Sequence, residues 1–171
     1  MKSKIICIVG PSGCGKTSLV NFIEKTTGIK TLVSYTTRPM RHDEVDGINH
    51  WYVKHKDMPD RSEMFAYTIF NGYHYWTNIN DVPKNGMVTY VIDGKGVNTL
   101  TERFNEMFDI FTIYIRRDEK LLIEAVGEDR VNRDKERLHF DNNAYDAIID
   151  NNGSLSDFFN IASETIAKLI R

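Results

Sequence analysis

The sequence predicts an α/β fold: a parallel sheet with helices on both faces, interrupted by a mostly-β insertion and a short lid. Three observations predict it. Short apolar runs rich in β-branched residues recur along the 171 residues and alternate with stretches of helical spacing. The first run, Ile5 to Val9, leads directly into a glycine-rich turn and then a helical pattern. One aromatic-rich stretch breaks the alternation. Strands that alternate with helices pair in parallel, because each crossover helix returns the chain to the same end of the sheet.

Each element follows from its residues. Ile5 to Val9 is continuously apolar, as a strand buried on both faces must be. Leu19, Val20 and Ile23 fall at helical spacing after the turn, and Gly28 supplies a stop. Thr31 to Val33 reads as a second, short strand. Met87 to Ile92 and Asp109 to Ile115 are further buried strands, separated by a helix carrying Val97, Leu100 and Phe104. Ala147 to Ile149 is the last strand, and Leu155, Phe158, Phe159, Ala162, Ile166, Leu169 and Ile170 line one face of a closing helix.

Residues 34–83, with Tyr35, Trp51, Tyr52, Phe65, Tyr67, Phe70, Tyr73, Tyr75 and Trp76, form the insertion. Residues 116–137 hold seven basic and seven acidic side chains, the pattern of a solvated helix face or a lid. The expected organisation is one domain, residues 1–171, with its core in 1–33, 84–115 and 138–171.

Composition narrows the function classes. A content of 41% hydrophobic and 27% charged residues excludes disorder, and no apolar run approaches the roughly 20 residues of a membrane helix. Net charge is −2, so the basic excess of a general nucleic-acid binder is absent and any anion must be met by a local cluster of cations. Cys7 and Cys14 make neither a disulfide framework nor a zinc spacing, and the five histidines lack metal-ligand spacing. The apolar run after Met1 is too short for a signal peptide. These features predict a cytoplasmic protein, monomer or homodimer, whose partners are small molecules rather than nucleic acid or membrane.

Gly10-Pro11-Ser12-Gly13-Cys14-Gly15-Lys16-Thr17 fits the phosphate-loop pattern G-x-x-x-x-G-K-[ST] in full, with Ser18 beside it. The glycines let backbone N–H groups turn inward onto phosphate oxygens, and the following helix aims its N-terminus at the anion. Lys16 supplies a point charge for the β/γ-phosphates, and the Thr17 hydroxyl is placed to coordinate Mg²⁺. Residues 10–18 are therefore the expected ATP site.

The phosphate loop, then Ser34-Tyr35-Thr36-Thr37-Arg38-Pro39-Met40-Arg41, then Glu44-Val45-Asp46-Gly47, closely resembles guanylate kinase. The likeness is dense over residues 4–53 and continues more thinly through Gly72, Tyr75, Asp93, Gly96 and Asp150-Asn151. The resemblance implies a P-loop kinase core, a nucleoside-monophosphate-binding insertion and a lid. It implies transfer of the ATP γ-phosphoryl group to GMP or dGMP, with Mg²⁺ as cofactor.

A dianionic acceptor needs a cationic clamp, and Arg38 and Arg41 sit three apart around Pro39. From the residues alone they are equally surface arginines paired with Glu44 and Asp46. The resemblance adds Tyr75 and, at a position the family fills with tyrosine, His50, which titrates near neutral pH. It also assigns base reading to Ser34, Thr77 and Asp93. The family's guanine-reading glutamate falls on Ala66, and Glu63 takes its place only if the register shifts. Trp76 replaces a glycine, so the pocket is expected to change shape.

In the lid, Arg130 and Arg137 are the counterparts of catalytic arginines, with Arg133 as a third candidate; each is alternatively a partner of Glu128, Asp129 or Asp134. Asp93 either reads the base or holds a Mg²⁺-bound water. Asn151 lies beside adenine or is a turn residue.

The leading expectation is a kinase for GMP or dGMP, with Lys16, Arg38, Arg130 and Arg137 supplying the catalytic charge. The alternatives are a kinase for another or a modified nucleoside monophosphate, and a non-catalytic phosphoprotein-binding module. Such modules tend to lose the phosphate loop, whereas Lys16 and Thr17 are intact.

Overall fold

The computed structural model describes residues 2–135 and 145–170. In chain order the elements are β1 (Ser3–Val9), α1 (Lys16–Thr27), β2 (Thr31–Leu32), β3 (Tyr35–Thr36), β4 (Trp51–Tyr52), β5 (Met64–Phe70) and β6 (Tyr73–Asn78). There follow β7 (Met87–Val91), α2 (Gly94–Phe104), β8 (Phe108–Arg116), α3 (Glu119–Val126), α4 (Glu128–Lys135), β9 (Ala147–Asp150) and α5 (Leu155–Leu169). The expected strands and helices are all present, with ends shifted by one or two residues.

The main sheet has the order β2-β7-β1-β8-β9, with every pair parallel. Side chains alternate across a strand, so β1 feeds two cores. Ile6 and Ile8 pack with Leu19 and Ile23 of α1 and Phe158, Ala162 and Ile166 of α5. Ile5, Cys7 and Val9 pack with Val97, Leu100 and Phe104 of α2 and with Phe65 of β5. Each buried Ile or Leu stabilises by roughly 1.5–3 kcal/mol, so the continuous run in β1 is what commits it to the sheet centre.

The insertion is a second sheet of order β4-β3-β6-β5. Its hairpin β5–β6 turns at Asn71-Gly72, both with positive φ (49° and 74°), the geometry that lets a two-residue loop follow strand twist. Register pairs Thr68 with Tyr75 and Tyr67 with Trp76. Tyr75 therefore shares a face with Thr68, and Trp76 faces the other way.

The segment after β8 differs from a purely solvated face. Leu122 of α3 and Val131 of α4 are buried in the α1/α5 core, with Ile123 and Val126 packed against it. Helices α3 and α4 are thus anchored on one side while their charges face the cleft and solvent.

Candidate active site

In an open α/β sheet, ligands settle beyond the carboxyl ends of the strands. Here a cleft of about 1080 Å³ opens there, lined at one end by the phosphate loop and at the other by the insertion.

The phosphate loop follows β1 without a break. Gly10 has φ 153°, and a Cβ there would fall 2.6 Å from the Ile115 carbonyl oxygen and 2.7 Å from Cys14 Sγ. At Gly15 (φ 106°) a Cβ would meet Asn151 Nδ2 at 2.7 Å. Only glycine fits either position. Gly15 caps α1 without a side-chain hydrogen bond, so no capping side chain stands between the helix N-terminus and the cleft. Lys16 Nζ donates to the carbonyls of Gly10 and Pro11, each at 2.8 Å, holding its charge over the loop. Thr17 and Ser18 are exposed at the cleft wall.

Cys14 departs from the expected ATP-contact set. It is fully buried, belongs to the α1/α5 core and does not line the cleft. Burial pushes its thiol up, against the opposing pull of Lys16. Its backbone carbonyl accepts from Asn151 Nδ2 at 2.8 Å, so Asn151 is a buried brace of the loop as well as a cleft residue.

At the other end, Ser34, Arg38, Arg41, His50, Tyr75 and Asp93 all line the cleft. Arg38 forms a fork with Glu44, Nη1 to Oε2 at 2.9 Å and Nη2 to Oε1 at 2.8 Å, with side chains only 11% and 10% exposed. The carboxylate holds the guanidinium in place, and Arg41 Nη1 approaches the same carboxylate at 3.6 Å. Asp46 pairs with neither arginine in this way; its Oδ1 accepts from the Tyr52 N–H. Burial opposes ionisation of Glu44, but Arg38, the Arg41 N–H and the Tyr52 hydroxyl outweigh it and bring the carboxyl down to about 2. Burial, reinforced by Arg38, lowers His50 from the usual 6.5, so its imidazole is neutral at pH 7.

Both shifts give acid sensitivity of one sign. The unfolded chain takes up the proton that His50 refuses below about 6.5, and again near 4.5 the proton that Glu44 refuses. The insertion is expected to lose stability as pH falls from about 6.5, with a further loss between about 4.5 and 2. Thermal melting across that range measures it, and a flat profile would contradict the assignment.

Helix α4 contributes Arg130 and Arg133 to the cleft. Burial and the neighbouring Arg41 both lower the Arg130 pKa, so these guanidiniums crowd one another. The Nε atoms of Arg130 and Arg133 are buried without a hydrogen-bond partner. Arg133 Nε also lies 3.9 Å from Asp134 Oδ1, the carboxylate the sequence offered as its alternative partner, while Arg41, Arg130 and Arg133 together still put several positive charges on one cleft wall, which suits an anion. Arg137 lies outside the described residues.

Three expected base-pocket features are corrected. Thr77 is fully buried and does not line the cleft; its hydroxyl bonds the Tyr90 hydroxyl, and Tyr90 is the cleft residue. Trp76 faces away from the cleft, stacked on Tyr35 with centroids 5.6 Å apart, so it leaves the pocket shape alone. The register of β5 does shift between Met64 and Ala66, yet Glu63 stays exposed in the turn before the strand and off the cleft, so it does not take the Ala66 position. Asp93 caps α2, with Oδ1 accepting from Gly96 N–H at 2.8 Å and Oδ2 from Thr68 Oγ1 at 3.1 Å.

Sequence reasoning missed three further cleft residues. Arg117 Nη1 donates to the Gly13 carbonyl at 2.7 Å. Asp134 is 3% exposed, and its Oδ2 accepts from the Ser12 N–H of the phosphate loop at 2.7 Å. Tyr90 sits inside an apolar strand with only its hydroxyl marking it. The first two lay among the evenly mixed charges of 116–137, where no sequence signal separates them from their neighbours.

Among the described residues no group of three or more His, Cys, Asp or Glu is arranged to hold a metal. The exposed Thr17 hydroxyl at the cleft wall is an oxygen donor of the kind that a phosphate-bound Mg²⁺, which keeps most of its waters, would take.

Known proteins share this architecture. A solved guanylate kinase from Anaplasma phagocytophilum superposes with a TM-score of 0.76 over 99% of this chain and 88% of its own, at 21% identity, a likeness of fold. A guanylate kinase of Blochmanniella pennsylvanica is 30% identical over 193 aligned positions, covering 94% of this chain and 82% of the relative. One from Prochlorococcus marinus subsp. pastoris is 31% identical over 124, covering 68% and 67%. The chain spans between 54% and 67% of the length of four of the curated relatives it matches. The guanylate kinase family model matches residues 2–168, and with that span added to the phosphate loop and the Arg38–Glu44 fork, the chain belongs to the guanylate kinase family.

Proposed function

We propose that this chain transfers the γ-phosphoryl group of Mg·ATP to GMP or dGMP, yielding ADP and GDP or dGDP. The observation that carries this reading is the single cleft that joins a complete phosphate loop to the Arg38, Arg41, His50 and Tyr75 cluster. A phosphoryl transferase needs both cradles in one space; a phosphoprotein-binding module needs only the second. In this reading residues 34–83 bind the monophosphate and 116–137 act as lid, in a cytoplasmic enzyme working on small nucleotides.

Transfer is a matter of position and charge. The phosphate loop and Lys16 hold the ATP phosphates, while Arg38 and Arg41 hold the acceptor phosphate. An acceptor phosphate oxygen attacks the γ-phosphorus, and the bond from that phosphorus to the β–γ bridging oxygen breaks, releasing ADP. Arg130 and Arg133 face the transferring group across the cleft, and Arg137 is the further lid candidate. Mg²⁺, when bound, neutralises phosphate charge, and Thr17 would hold it. Closure of the lid excludes water, which limits hydrolysis.

Asp134 gives this cycle a testable step. Its carboxylate occupies an N–H of the loop that binds phosphate, so ATP must displace it. Asp134→Ala is expected to tighten ATP binding by about three- to tenfold, as measured by calorimetry, since a competing buried charge is removed. Weaker binding would show that the carboxylate supports the loop instead.

The proposal is tested by ADP release at saturating Mg·ATP with GMP or dGMP as acceptor. Turnover that requires the acceptor supports it. ATP binding without turnover on any nucleoside monophosphate would overturn it and favour the binding module.

A further inference from the structure

The acceptor end of the cleft holds a side chain whose charge can change near neutral pH. His50 lines the cleft together with Arg38, Arg41 and Tyr75. Its ring lies edge-on to Tyr52 and Tyr75, with centroids 5.9 and 5.8 Å away. Nδ1 is buried without a hydrogen-bond partner, while the ring bonds the Ser34 carbonyl. The proton of the neutral imidazole therefore sits on Nε2, and Nδ1 carries a lone pair.

The surroundings of that ring oppose a second proton. Burial is the first cause, and the positive charges of Arg38 and Arg41 add to it. Glu44 acts in the opposite sense, but its carboxylate is already forked onto Arg38. Asp46 is bridged to His50 through the backbone, and its Oδ1 accepts from the Tyr52 N–H. From α4, Arg130 brings a further positive charge that is felt at Arg41. A bound monophosphate reverses this balance. It lays close to two negative charges on the same two guanidiniums that hold the imidazole neutral. An anion within about 6 Å of an imidazole favours its charged form.

We propose that His50 takes up a proton from solvent as the acceptor monophosphate binds, so that acceptor affinity falls as pH rises above neutrality. This rests on the kinase reading above and adds a proton linkage to its acceptor site. The proton goes to Nδ1, Nε2 keeps its bond to the Ser34 carbonyl, and the phosphate stays dianionic. The acceptor phosphate then meets three cations, two of them permanent and one recruited by its own arrival. The complex binds more protons than the free protein in this window, so lowering the pH across it tightens binding. Below about pH 6 the phosphate is itself protonated and the gain is lost.

The test measures GMP binding to the full chain by calorimetry at pH 7, in buffers of different ionisation enthalpy. Uptake of about half a proton per GMP is expected, with Kd rising about three- to fivefold from pH 7 to pH 8.5. His50→Gln keeps a polar side chain that takes no proton. It is expected to abolish the uptake and flatten the pH dependence, with melting temperature checking the fold. In the unaltered protein, imidazole NMR at pH 7 is expected to show His50 neutral without GMP and charged with it. GMP binding without proton uptake overturns the proposal, and so does uptake that persists in a folded His50→Gln. Where the variant fails to fold or to bind, the NMR signal decides, and a ring that stays neutral overturns the proposal. GMP bound and turned over without uptake leaves the kinase reading standing; absence of binding by GMP and dGMP alike overturns both.

Discussion

Replacing Lys16 by methionine is expected to lower turnover by about a hundred- to a thousandfold while leaving the melting temperature nearly unchanged, because in the proposed mechanism its ammonium is the point charge aimed at the transferring phosphates. In the structure that ammonium rests on the Gly10 and Pro11 carbonyls, already inside the loop. Methionine keeps the stem and removes the charge. ADP release with GMP as acceptor measures the effect. Activity within about fivefold of the unaltered protein would mean that the loop amides and lid arginines carry the charge without it.

Arg38→Ala is expected to have the second large effect, and it divides into two parts. The clamp loses its forked donor, so kcat/KM for the acceptor falls by about a hundred- to a thousandfold, mostly through KM. Glu44 also loses its main partner and keeps only Arg41 and Tyr52, so the melting temperature is expected to fall as well. Adding Glu44→Ala separates the two, because the double variant recovers stability and stays inactive. Arg38→Lys restores charge without the fork and is expected to recover stability more than acceptor binding. Full acceptor affinity in Arg38→Ala would show that Arg41 and Tyr75 hold the phosphate alone.

The legible parts of this protein are those where local chemistry has one structural solution. A continuous apolar strand followed by glycines that tolerate no Cβ can form little but a buried strand and a phosphate loop, so β1 and residues 10–17 were readable. The Arg38 and Arg41 spacing was readable as a clamp only through the family resemblance, since the same arginines beside Glu44 also describe a surface ion pair. The structure shows the ion pair, and in the proposed reading the same carboxylate sets the geometry of the clamp.

The errors have equally physical causes. Side chains on a strand alternate, so with Tyr75 in the cleft Trp76 must face away; treating the two as adjacent pocket residues ignored that parity. Thr77 has the right parity but stops short, because the larger Tyr90 side chain stands between it and the cleft. Cys14 occupies a loop position yet turns into the core. Asp134 and Arg117 gain their positions from the packing of α3 and α4 onto the core, which no count of charges reveals.

The central claim is that donor and acceptor phosphates meet in one cleft, and label transfer tests it most directly. ATP carrying a radiolabel on its γ-phosphate is incubated with the protein, Mg²⁺ and GMP or dGMP. The account predicts label in GDP or dGDP, matched by ADP release, and little free phosphate. Label appearing only as free phosphate, or remaining in ATP while the protein binds both nucleotides, would contradict it.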